Sequence, residues 1–357
     1  MTIDFHRFGA AAAMVLASVL LAGGAQAQKR DNILVTGSST VNPFTRAVAA
    51  QFDSSGMLAK LGGKPPVIES TGTVRGYNVF CQGGGSRFPD IQNASRRINA
   101  LEFSLCLKNG VHEVMEIPIG HDGIALAYRK DGGQVSLTRA QVWLAVAKDV
   151  PKNGALVPNP YTSWRQIDPG LPDWPIKVLG PPPTSGTRDS FTDLLMNAAC
   201  QSFDEVRALT DPARRLAVCT TVRQDGRWVD SGEDDEKIVA GIENAPAGII
   251  GIFGYSFLAE HAARLKGAAL EGIAPTADSI ATGSYPLARP LFIYAKRANM
   301  RFVTGLKEFL EFYVSPAAMG SEGFLAKHGL VPLDPAQQQR AREAVEKQVI
   351  ILRRPEM

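Results

Sequence analysis

Four times along this chain a short apolar or β-branched run gives way to a turn of small and hydroxyl-bearing residues. Asn32 to Thr36 (NILVT) enters Gly37-Ser38-Ser39-Thr40, followed by a helical stretch from Pro43 to Phe52. Pro66 to Glu69 (PVIE) meets Ser70-Thr71-Gly72-Thr73, and Pro89 to Ile91 meets Asn93-Ala94-Ser95-Arg96. Ile176 to Leu179 (IKVL) meets Gly180 to Thr187 (GPPPTSGT), with a helix expected from Arg188 to Ala199. Strands that alternate with helices build an α/β sheet with parallel neighbours, and such sheets bind ligands at the carboxyl ends of their strands. The turns are therefore where chemistry is expected.

Other segments complete this picture. Glu113 to Ile119, Ile124 to Tyr128, Gly248 to Phe253 and Leu291 to Tyr294 read as strands, and Ala100 to Asn109 as a helix. Phe302, Val303, Leu306, Phe309, Leu310 and Tyr313 fall at helical spacing, and Ala341, Val345 and Val349 recur at steps of four. These are packing faces without chemistry. Glu233 to Lys237 (EDDEK) reads as a solvated loop or helix start.

A cation-bearing start, an apolar run from Phe8 to Ala22 and the small-residue exit Ala25-Gln26-Ala27 form a secretory leader, with cleavage expected after Ala27. The run is shorter than the ~20 residues of a membrane span, and no cysteine follows it to carry a lipid. What remains of the 357 residues is more than one core usually supports, so two domains are expected. Export follows from the leader.

The four cysteines, Cys81, Cys106, Cys200 and Cys219, form no CxxC pair and have no histidines at metal-ligand spacing. In an exported chain an even count points to disulfides. Of the three pairings, Cys81 with Cys106 and Cys200 with Cys219 is favoured, since each closes a loop within one domain; buried free thiols are the alternative. The net charge of +3 and the lack of a basic block argue against a nucleic-acid surface.

Helix N-termini present unpaired N–H groups and partial positive charge, so a Ser/Thr-rich turn that opens a helix is suited to an anion. Such residues also cap their own helices, and one turn alone would carry no more than that. Three such turns, joined by Arg96 and Arg188 close to two of the polar turns, point to a shared oxyanion, because a guanidinium fork donates two parallel hydrogen bonds. Arg75 and Arg97 read as solvated neighbours.

These residues carry a resemblance. TGSSTVNPF at Thr36 to Phe44, ESTGTVRG at Glu69 to Gly76, PDIQNASRRI at Pro89 to Ile98, TSGTRDSF at Thr184 to Phe191 and APAGIIGIFGYSF at Ala245 to Phe257 are similar to the periplasmic phosphate-binding subunit of phosphate ABC importers. The resemblance runs from about Asn32 to Leu333. It implies a two-lobed type II periplasmic binding-protein fold with crossing hinge strands, residues 28–123 plus 288–357 forming one lobe and residues 124–287 the other. It also implies inorganic phosphate held by Ser39, Thr40, the N–H of Val41, Ser70, Ser185, Gly186 and Thr187. The implied partner is the membrane permease of the importer, served by a monomer.

Two departures from that family bear on selectivity. Its best-known members place an aspartate after the third strand to accept the proton of hydrogen phosphate, which sulfate lacks; here Ser95-Arg96 stands there. Pro182-Pro183 replaces an arginine before the SGT turn, and Arg188 follows it instead. Glu69, Asp122 and Asp189 are the candidate proton acceptors, Asp122 foremost, although Asp122 could equally orient an arginine. Sulfate or molybdate is the alternative ligand. An exported phosphate-handling hydrolase is the alternative class, but there is no G-x-S-x-G elbow, Walker loop or HExxH pair, and the five histidines are scattered. No catalytic residue, cofactor or metal is expected.

Overall fold

The computed structural model describes residues 29–232 and 234–352; the expected leader, residues 1–27, lies outside them. Among the described residues the main sheet has nine strands. Its path runs Lys64–Ile68, Asn32–Gly37, Ile91–Ala94, Ala288–Lys296, Val114–Arg129, Ile250–Gly254, Val178–Gly180 and Trp228–Asp230, with Leu265–Gly267 also paired to Val114–Arg129. Asn32–Gly37 pairs parallel with both of its neighbours, as do Val178–Gly180 and its neighbours.

Two antiparallel strands join these parallel ends. Val114–Arg129 and Ala288–Lys296 pair along their shared length, from Ala288 opposite Gly123 to Lys296 opposite Val114. The sequence expects two strands over 113–128, but they form one of 16 residues, because the Gly120–Gly123 stretch stays extended through its pairing with residues 288–291. This is the crossing between the halves of the molecule.

Each half has its own core. Ile33, Val48, Phe52, Ile117, Ile293, Phe309 and Tyr313 belong to one buried cluster, and Leu126, Tyr128, Trp143, Trp164, Phe191 and Ile250 to another. Phe44, Val48 and Phe52 recur every four residues on helix Asn42–Ser54 and face the first core. Fully burying a side chain such as Phe52 contributes roughly 1.5–3 kcal/mol. Cys81 is bonded to Cys106 and Cys200 to Cys219, closing loops of 25 and 19 residues, each of which stabilises by about 3 kcal/mol through the unfolded chain.

Some elements differ from expectation for local reasons. The helix expected from Phe302 spans only Leu306–Tyr313, because a short 3-10 turn occupies Arg297–Arg301 and Gly305 takes a φ of 78°. Helix Pro335–Glu346 ends before Val349, which is exposed. Residues 73–80 form a helix that the glycine-rich ESTGTVRG segment does not announce. The acidic run opens helix Asp235–Glu243, whose first turn Asp234 caps through Glu236 N.

A candidate anion-binding cleft

One cavity of about 580 Å³ is lined from both halves: Ser38, Ser39, Thr40, Thr71, Thr73, Ser95 and Arg96 on one side, Asp189, Thr192 and Asp193 on the other, and Arg289 at the crossing. The hydroxyls come from three of the turns singled out in the sequence. Neither helix that opens beside them is capped by a side chain: Val41 precedes Asn42–Ser54 and Gly72 precedes Thr73–Phe80 without such a bond. The first N–H groups of Thr73–Phe80 have no partner among the described residues and remain available to an anion, whereas at Asn42–Ser54 Asn42 N donates to Ser38 O at 3.0 Å and Pro43 has no N–H, so chiefly the dipole is offered there.

The turns are held by one another. Thr71 Oγ1 accepts from Gly37 N at 3.2 Å, and Thr71 N and Gly72 N both donate to Gly37 O at 2.9 Å. Gly37 has a φ of 120°, and a Cβ there would lie 2.2 Å from Asn93 O, so this crowded junction requires glycine. Thr73 Oγ1 lies 2.9 Å from Ser95 Oγ and accepts from Ser95 N at 3.3 Å.

The arginine at the centre of the cleft is Arg289, which sequence reasoning missed. It is 7% exposed, it donates from Nη2 to Thr40 Oγ1, and its buried Nε has no hydrogen-bond partner. Asp122 Oδ2 lies 3.6 Å from that Nε, longer than a hydrogen bond. Burial pulls the Arg289 pKa down, against the opposing pull of Asp122, Asp193 and Asp189. A guanidinium nevertheless stays charged, so a desolvated cation with donor capacity to spare faces a hydroxyl-lined space. The available signal was a lone cation inside the apolar run Pro286 to Tyr294 (PLARPLFIY).

Arg188 occupies another place. Its Nη1 donates to Pro181 O at 3.0 Å and to Asp230 Oδ1 at 3.3 Å, and its guanidinium lies 4.4 Å from the Trp228 ring centre. It is committed to packing and does not line the cavity. Arg96 does line it, but Glu102 grips it at both terminal nitrogens, at 2.9 and 2.7 Å.

Of the residues singled out in the sequence, Ser39 and Thr40 line the cavity, whereas Val41, Ser70, Ser185, Gly186 and Thr187 do not. Val41 is fully buried, and its N–H faces Ser38 Oγ at 3.4 Å. Ser70 is exposed, and its neighbour Thr71 takes the inward position. Ser185 caps its own helix, accepting from Thr187 N at 3.2 Å. Gly186 serves as a contact instead: Thr40 Oγ1 donates to its carbonyl at 3.1 Å, and a Cβ at Gly186 would lie 2.5 Å from Thr40 N.

The carboxylates are redistributed as well. Asp122 sits behind Arg289 and outside the cavity lining, with its pKa raised by burial against the pull of Arg289. Glu69 is exposed and also outside the lining. Asp189 lines the cavity and accepts from Ser39 Oγ at 3.0 Å. Asp193, which the sequence reading overlooked, lines it too and has no hydrogen bond among the described residues. Partial desolvation raises its pKa, Arg289 and Arg96 oppose the rise, and Asp189 adds to it. The helix from Gly186 passes through a π-turn at Thr192–Asn197, at whose start Thr192, Asp193 and Leu194 meet the cleft.

Away from the cleft, Glu236, Glu260 and His261 bring three ligand atoms within 4.8 Å of one another. Arg264 lies 3.1 Å from His261 Nδ1, a cation that opposes another at that ring.

A sequence profile described as the PBP superfamily domain matches residues 22–317. Protein SphX of Synechococcus elongatus is 30% identical over 317 residues, covering 85% of this chain and 78% of that protein. The phosphate-binding protein PstS of Staphylococcus saprophyticus is 26% identical over 300 residues, covering 81% and 78%. A crystal structure described as a possible phosphate binding protein from Planctomyces limnophilus shares the fold with a TM-score of 0.69 at 24% identity, covering 90% of this chain and all of that one. An ABC-type phosphate transport receptor from Vibrio cholerae does so with a TM-score of 0.57 at 20% identity, covering 85% and 100%. The fold is the two-lobed type II arrangement with crossing strands, and the chain belongs to the PBP superfamily.

Proposed function

We propose that this chain is an exported solute-binding protein that captures inorganic phosphate between two lobes and delivers it to the permease of an ABC importer. The observation that carries this reading is the convergence of buried Arg289 with the hydroxyls of Ser39, Thr40, Thr71, Thr73 and Ser95 on one cavity wall. Together with the N-terminus of helix Thr73–Phe80, which no side chain caps, this set offers an oxyanion many donors. The printed name of the PstS relatives, phosphate-binding protein, supports phosphate as that oxyanion.

In this reading residues 1–27 direct export to the periplasm, residues 28–123 with 288–357 form one lobe and residues 124–287 the other, and the chain acts as a monomer. The ligand bridges the lobes and so favours the state in which both sets of contacts exist. The chain binds and releases its ligand unchanged, as a carrier and not an enzyme. Asp193 accepts the proton of hydrogen phosphate, because it lines the cavity with its oxygens uncommitted, whereas Asp189 already serves Ser39. Sulfate has no proton to offer and is disfavoured.

Titration calorimetry with phosphate, sulfate and molybdate at two pH values tests the reading. Phosphate is expected to bind at micromolar concentration or tighter, far ahead of sulfate, at about −8 kcal/mol or better. Sulfate binding without phosphate binding overturns it.

A further inference from the structure

The cleft is larger than a bare oxyanion requires. Its volume is about 580 Å³, whereas phosphate displaces roughly two to three waters, on the order of 60–90 Å³. Cavities of several hundred Å³ are those that hold small organic ligands. Lobe closure does not readily remove the excess, because one side of the cleft is already shut. There Ser39 Oγ donates to Asp189 at 3.0 Å and Thr40 Oγ1 to Gly186 O at 3.1 Å, while Gly186 packs on the Ser39–Thr40 backbone. On the other side Arg96 and Asp193 sense one another electrostatically without a hydrogen bond.

The residues around this excess space form the second observation. Arg75 and Asn78 are exposed, line the cavity and, among the described residues, have neither a hydrogen bond nor an ion pair. They stand three residues apart on helix Thr73–Phe80 and so share a face. Arg96 and Arg97, by contrast, are each paired with a glutamate. Val74 and Leu194 add apolar surface to the same cavity. An uncommitted guanidinium and an uncommitted amide beside apolar carbon suit a short, polar organic tail joined to a phosphoryl group. A bare oxyanion on the hydroxyl turns leaves both side chains unused.

We propose that the cleft also admits small phosphate monoesters, with the phosphoryl group on the hydroxyl turns and a polyol-sized tail along Arg75 and Asn78. This inference rests on the phosphate reading above and extends it to a substrate class.

Titration of the chain, freed of bound anion, with inorganic phosphate and with glycerol 3-phosphate tests it. Both are expected to bind and to compete. Arg75→Ala with Asn78→Ala should weaken the ester about fivefold or more and alter phosphate less than about twofold. Both positions are exposed, and an unchanged Tm will show that the fold is intact. Phosphate binding with no ester binding at about 1 mM overturns the inference and leaves the phosphate reading standing. Equal losses for both ligands in the variant also overturn it, since Arg75 would then act only through its charge. Failure of both ligands in the unaltered chain overturns the phosphate reading, and the inference with it.

Discussion

Arg289 donates from Nη2 to the hydroxyl of Thr40, which lies 249 residues earlier in the chain. Thr40 in turn donates to Gly186 O in the other half of the molecule. One hydroxyl thus ties together the crossing strand, the first hydroxyl turn and the opposite helix. Removing the guanidinium should cost binding directly. Arg289→Gln is expected to weaken phosphate by about 2 kcal/mol or more, ~30-fold, while Arg188→Gln changes it less than about threefold. Calorimetry on both variants, with Tm as the control for folding, separates the two arginines. A larger effect from Arg188 would refute the placement of the site.

Asp193 supplies a test of selectivity. Its carboxylate is the uncommitted acceptor on the cleft wall, and partial burial raises its pKa. Once protonated it can no longer accept the phosphate proton. Phosphate affinity should therefore decline as pH falls through this raised pKa. Asp193→Asn is expected to remove that part of the pH dependence, weaken phosphate about tenfold, and leave sulfate unchanged or improved. Competition binding at several pH values reads all three.

Which residues were legible from sequence follows from what a turn reveals and a strand conceals. Ser38, Ser39, Thr40, Thr71, Thr73 and Ser95 lie in the polar turns that composition picks out, and the structure puts them in the cleft. Ser185 lies in an equally polar turn, yet it caps its own helix. Only the direction of the chain into the helix separates those two outcomes. Arg188, Asp189 and Asp193 share one helical segment. At 3.6 residues per turn, positions 189 and 193 project together, while position 188 lies about 100° away, toward Trp228. The spacing was readable, but the face turned to the cleft was not. Arg289 sits in an apolar strand with no motif, and its role depends on pairing with Asp122 across the crossing, a contact between residues 167 positions apart as 289 minus 122. The alternation of strands and helices needed no such long-range knowledge, and the α/β class was accordingly readable.

Gly186 offers a test of the contact between the lobes. A methyl group there would stand 2.5 Å from Thr40 N and 2.7 Å from Ser39 C, both rigid backbone atoms. The residue begins a helix, where alanine is favoured over glycine by up to about 1 kcal/mol. Gly186→Ala should therefore part the two turns, with the propensity gain offsetting some of the cost to Tm. Ligand binding is expected to weaken by about 1–3 kcal/mol, the usual cost of overpacking. Small-angle scattering should show a wider particle in the presence of phosphate. A variant that binds and compacts like the parent would show that the contact does not matter for closure.

Lys296, outside the cleft lining, is one group through which stability should vary with pH. It is 2% exposed, donates from Nζ to Gly83 O at 2.6 Å, and lies 4.6 Å from the centre of the Phe80 ring. Burial pushes its pKa down to about 7, with Asp90 pulling it up and Arg30 pushing it further down. In the unfolded chain the amine titrates near its ordinary value of about 10.4. Between these values the unfolded state holds more protons than the folded one, so stability rises with pH across that window and is lost as pH falls toward 7. The full swing is on the order of a few kcal/mol, at ~1.4 kcal/mol per pH unit. Denaturant unfolding at pH 7 and pH 9 should therefore show the parent more stable at the higher pH. Lys296→Met keeps a long side chain against Phe80 and removes the titration, so the difference between the two pH values should shrink. An unchanged difference in that variant would assign the slope to other groups.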